Sequence, residues 1–97
     1  MAEIDKLTML KAALNMISPP PERITQLEQL LEVAASRIRR RGIILQDTAD
    51  DAQLQVDYAA WMYRRRMLQA SAQIPESLRL DLNDRLAHEK MQETDDA

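Results

Sequence analysis

The chain contains no cysteine, no phenylalanine, one glycine and one histidine in 97 residues. Without cysteine there are no disulfides, no thiol nucleophile and no thiolate-held metal, a composition that fits a reducing compartment. A single glycine excludes a glycine-rich phosphate loop. No stretch approaches the roughly 20 consecutive apolar residues that a membrane-spanning helix requires. The opening MAEIDKLTML is acidic early and lacks a long apolar run, so it does not read as a secretory signal. A net charge of −3 lacks the basic excess of a dedicated DNA-binding domain.

What remains is rich in Ala, Leu, Arg, Gln, Glu and Met, which lose little side-chain freedom in a helix. The expectation is an all-α fold: one domain over 1–97, a small bundle of about four helices with a long central third helix. A first helix is expected over 3–15, within an N-terminal helical segment 1–17. Its apolar stripe is Ile4, Leu7, Leu10 and Leu14, with Ile17 beyond. The proline-rich link 18–21 stops it, because proline removes backbone donors and restricts the residue before it. Core helices are expected over 22–91. The second has Pro21 at its first position and a stripe of Ile24, Leu27, Leu30, Leu31, Ala34, Ala35 and Ile38. Thr48 and Asp51 resemble a capping box opening the third helix, expected over 49–72. That helix carries two stripes, one through Val56 and Ala60, another through Tyr58, Trp61 and Met62, as a central buried element should. The fourth begins at Pro75-Glu76 with Leu78, Leu82 and Leu86, and an Asp81/Arg85 pair four apart on another face. The tail 92–97 is acidic, without apolar content, and is expected to be flexible. The predicted core is Leu27, Leu31, Ile38, Val56, Tyr58, Trp61, Met62, Leu78, Leu82 and Leu86.

Candidate chemistry is sparse. Asp84 and His88 stand four apart, but two ligands do not make a metal site, and a surface histidine is the plainer reading. No cofactor, metal or catalytic residue is expected. The run RIRRRG reads first as a helix C-terminus, with cations offsetting the dipole and Gly42 in the left-handed conformation. A nucleic-acid patch is the alternative. In DYAAWMYRRRM, consecutive arginines fan round the helix axis, and Arg65 lies four residues from Trp61, within stacking reach. Arginine beside an aromatic cluster is also a favoured interface composition. The interface candidates are Arg37, Arg40, Arg41, Arg64, Arg65, Arg66, Asp50 and Asp51.

The strings Asp57-Tyr58-Ala59-Ala60-Trp61-Met62-Tyr63-Arg64, Pro75-Glu76-Ser77-Leu78-Arg79 and Asn83-Asp84-Arg85-Leu86 follow a Leu/Ala helix that ends at Gly42. In that order they resemble the small helical head–tail connector proteins (adaptor or head-completion proteins) of long-tailed bacteriophages and prophages. The resemblance covers about 24–90. It implies a non-enzymatic bundle made in the bacterial cytoplasm and located in the virion. There it self-associates as a ring under the portal protein, extends the DNA channel and meets a tail-side completion protein. DNA would pass through without being held tightly, and no membrane is involved. A small helical DNA-binding or packaging-associated regulator using the arginine clusters is the alternative. A metal-dependent enzyme around Asp84 and His88 is a distant third.

Overall fold

The computed structural model describes residues 5–67 and 73–95. Four helices, α1 (Lys6–Ala13), α2 (Pro21–Arg40), α3 (Ala49–Met67) and α4 (Glu76–Asp95), and no strand among the described residues, make the fold all-α.

Each helix end has a local cause. Asp5 caps α1 by accepting a hydrogen bond from the Thr8 N–H at 3.1 Å. At the other end Asn15 takes φ +58°, the Met16 N–H reaches back to the Lys11 carbonyl, and the Asn15 N–H reaches the Ala12 carbonyl. That paired closure is the Schellman arrangement, with asparagine standing where glycine is commoner. The left-handed turn takes Ile17 out of the helical phase. The expected continuation of the apolar stripe fails there: Ile17 is 96% exposed.

Proline at the first position starts α2, where a missing N–H costs nothing. Its buried residues are Leu27, Leu30, Leu31, Ala34 and Ile38. Gly42 follows with φ +101°, a conformation that penalises any residue with a Cβ. A Cβ at that position would also meet Leu86 Cδ1 at 3.3 Å. Beyond it Ile43 is fully buried and closes the end of the core.

The Asp51 N–H donates to Thr48 Oγ1 at 3.2 Å at the start of α3. From Asp51 to Tyr63 nearly every residue of α3 is buried or half-buried, with Gln53 the exposed exception. Both α1 and α2 pack on this helix, which accounts for more than one buried stripe. The buried Gln55 side chain donates to the Leu31 carbonyl of α2 at 2.8 Å. Leu27, Leu31, Ile38, Val56, Tyr58, Met62, Leu78 and Leu82 are buried, while Trp61 and Leu86 are half-buried and pack against that core.

The expected ends of the third and fourth helices need adjustment. α3 runs to Met67, and 68–72, like 1–4, lie outside the described residues. α4 continues to Asp95, so 92–95 are helical where a flexible tail was expected; no glycine or proline after Pro75 interrupts the helix. It packs chiefly on α3, burying Leu78 and Leu82, while Leu86 lies half-buried beside Gly42. The result is a slab of about 48 × 37 × 18 Å.

Candidate functional site

The N-terminal half of α3 and the middle of α4 enclose an open groove of about 940 Å³. Asp50 and Asp57 line it from α3, Asp81, Asp84 and His88 from α4, with Leu54 and Thr48 among the remaining walls. The acidic character follows from register. On α4 the leucines 78 and 82 face α3, which leaves 81, 84 and 88 on the groove side. On α3, Asp50 sits in the first turn, where the helix dipole favours a carboxylate.

Two further lining residues, Asp51 and Arg85, belong to a largely buried ionic cluster. Arg85 Nε donates to Asp51 Oδ1 at 2.9 Å and Nη2 to Asp51 Oδ2 at 3.2 Å, the bidentate fork geometry. Arg85 Nη1 donates to Glu89 Oε2 at 2.7 Å, and Nη2 also reaches the Ile44 carbonyl at 2.8 Å. Asp51 Oδ2 accepts the Gln46 N–H at 2.7 Å. Side-chain exposure is 5% for Asp51, 16% for Arg85 and 8% for Glu89, so water screens these contacts poorly. Burial alone would push the Asp51 carboxyl up. The Arg85 hydrogen bonds, the Gln46 N–H and the charges of Arg85 and His88 outweigh it and hold the carboxyl below the ordinary carboxylate value. Arg85 is correspondingly raised, by its hydrogen bonds to Asp51 first and then, against desolvation, by Glu89.

Asp51 is therefore corrected from an interface candidate to a buried strut. Arg85 does not pair with Asp81 but turns inward. The signal was present in the sequence: positions 78, 82, 85 and 89 continue one helical stripe, so Arg85 and Glu89 fall on the face that Leu78 and Leu82 bury.

The arginines divide by role. Arg64 Nη2 donates to the Ala13 carbonyl at 2.9 Å and so ties α3 to the C-terminal end of α1. Arg65 lies over the Trp61 ring at 4.9 Å from its centroid. These two have contacts within the chain, and that of Arg65 is the stacking its four-residue spacing from Trp61 allows. Arg66 is exposed, and among the described residues nothing in the chain holds it. Arg37, Arg39, Arg40 and Arg41 crowd the end of α2, all exposed, with no ion pair among the described residues. Arg23, unremarked in the sequence, donates to the Tyr63 hydroxyl at 2.8 Å and lies over its ring.

Asp84 and His88 both border the groove, yet among the described residues no group of three or more His, Asp or Glu side chains is placed to hold a metal ion. No described helix is long and apolar enough to cross a membrane. Comparison with protein-family models, with curated proteins and with solved structures gives no match for this chain.

Proposed function

We propose that the protein is a structural subunit of a phage or prophage head–tail connector, a ring under the portal protein that extends the DNA channel and meets the tail-side protein. The observation that carries this reading is the separation of unlike charge on one small chain. Arg37, Arg39, Arg40 and Arg41 stand exposed at the end of α2 with no ion pair among the described residues, while Asp50, Asp57, Asp81 and Asp84 line a groove between α3 and α4. Two different complementary surfaces on one subunit are what a heterologous, head-to-tail contact needs, and such contacts close into rings when the rotation permits. Each polar contact is weak alone and gains strength when many copies share a template. The chain strings around Trp61, Pro75 and Asn83 support the same reading through their resemblance to connector proteins.

The structure alters which arginines test it. Because Arg64 and Arg65 serve the fold, the informative variant is Arg37→Glu with Arg40→Glu. Wild type should co-sediment with portal particles, and the double variant should lose that association with its helical content intact. Absence of wild-type co-sedimentation refutes the connector proposal, and undiminished binding by the variant removes these arginines from the interface.

The same exposed arginines favour a second reading, a DNA-binding or packaging-associated regulator. Its mark is a tight, salt-sensitive shift of duplex DNA by the isolated protein, since phosphate contacts release counterions.

A further inference from the structure

The attachment of α4 differs in kind from that of the other helices. α1 is packed on both α2 and α3, and Leu10, Leu27, Ile38, Val56 and Ala59 within that three-helix body are completely shielded. α4 meets chiefly α3, and its apolar attachment is two buried leucines, Leu78 and Leu82, with Leu86 half-covered. Leu80 and Met91, on its other side, are 48% and 66% exposed. Two polar fastenings supplement this thin seam. At the base, Trp61 Nε1 donates to the Gln73 carbonyl at 3.1 Å and fixes the chain just before Ile74 and Pro75. Pro75, which has no N–H of its own, immediately precedes the helix. At mid-helix, Arg85 joins Asp51, Glu89 and the Ile44 carbonyl.

We propose that α4 is a hinged arm: it pivots about residues 74–75 and undocks from α3 as one unit when the Asp51–Arg85 contact opens, while α1, α2 and α3 stay folded. The Trp61–Gln73 hydrogen bond keeps the pivot in place, so the movement is a swing and not a general loosening. An ionic cluster suits a latch better than a leucine seam does. Buried ion pairs depend on geometry, and once one hydrogen bond of the fork is lost, the remaining charges favour solvent. The arm also decides whether the acidic groove exists. Asp50 and Asp57 belong to α3, Asp81 and Asp84 to α4, and only docking brings the two pairs together. Opening of the arm is a property of the isolated chain and does not depend on the connector reading.

Native-state hydrogen exchange on the full chain tests this. In wild type, amides of 78–91 should exchange at least about tenfold faster than those of 27–38 and 54–63. Their opening should also depend less steeply on urea, because a partial opening exposes less surface than global unfolding. Asp51→Asn, which keeps the shape and removes the charge, should accelerate α4 by about a further order of magnitude and keep it ahead of α2, whose exchange shares the same loss of docked-state stability. Arg85→Lys, which keeps a charge but loses the fork, should fall between the two. Exchange of wild-type α4 at the rate and urea dependence of α2 overturns the proposal. So does an Asp51→Asn variant in which the difference between α4 and α2 disappears or the whole chain unfolds, because the cluster would then belong to one cooperative unit.

Discussion

Replacing Trp61 with alanine separates its packing from its polar contacts. As a core tryptophan it would cost about 3–5 kcal/mol to truncate. The structure gives a smaller, more divided figure because the ring is half-buried. Its edge-to-face contact with Tyr58, at 5.5 Å and 89°, contributes about 0.5–1.5 kcal/mol. Arg65 over the ring adds about 0.5–1 kcal/mol at such a site. The Nε1 hydrogen bond to the Gln73 carbonyl adds about 1 kcal/mol. With allowance for overlap, Trp61→Ala should lower stability by about 1.5–3 kcal/mol. Trp61→Phe keeps the ring contact and loses the donor, so its cost should be near 1 kcal/mol. Urea melts followed by far-ultraviolet circular dichroism measure both, and a cycle with Arg65→Ala isolates the stacking contribution. A loss below about 1 kcal/mol for the alanine variant, or equal losses for alanine and phenylalanine, refutes the partition.

The depressed Asp51 carboxyl ties stability to acid. A group whose folded value lies below its unfolded one stabilises fully above the unfolded value, and that contribution is lost as pH falls through the folded value. Thermal midpoints measured from neutral pH to about pH 3 should therefore converge for wild type and Asp51→Asn at the acid end; a constant gap refutes the assignment. Arg64→Ala should loosen α1 and cost about 1 kcal/mol through loss of the Ala13 carbonyl contact. Arg66→Ala should stay within about 0.5 kcal/mol, and equal effects of the two in urea melts would contradict the division of roles among the arginines.

The helical stripes were legible because periodicity records burial directly: Leu27, Leu31 and Ile38 on α2, and Val56, Tyr58 and Met62 on α3, all lie inside. Proline and glycine marked most of the boundaries for local reasons that need no partner. The far end of α4 was misread because acidic composition says little about helicity when no breaker is present. Ile17 was misread because a left-handed asparagine reset the phase. The ionic cluster escaped for a different reason. Asp51 stands beside a capping threonine and Arg85 four residues from Asp81, and both local explanations were sufficient in themselves. Which explanation holds is decided by a contact across 34 positions of sequence that no local pattern encodes. The groove escaped likewise, since its two pairs of aspartates meet only after α4 has chosen a side of α3.

The amide of Gln55 has a consequence for how the α2–α3 pair finds its alignment. The pair buries leucines and alanines, Leu27, Leu31 and Ala34 on α2 and Ala52, Ala59 and Ala60 on α3, which are nearly interchangeable from one turn to the next. A slip of one turn, about 5.4 Å along the axis, would exchange like for like at little apolar cost. It would also carry the Gln55 donor away from the Leu31 carbonyl and strand an amide that is only 6% exposed, at about 1–3 kcal/mol. One polar side chain thus acts as a vernier mark on two otherwise repetitive surfaces, selecting a single position from a ladder of near-equals.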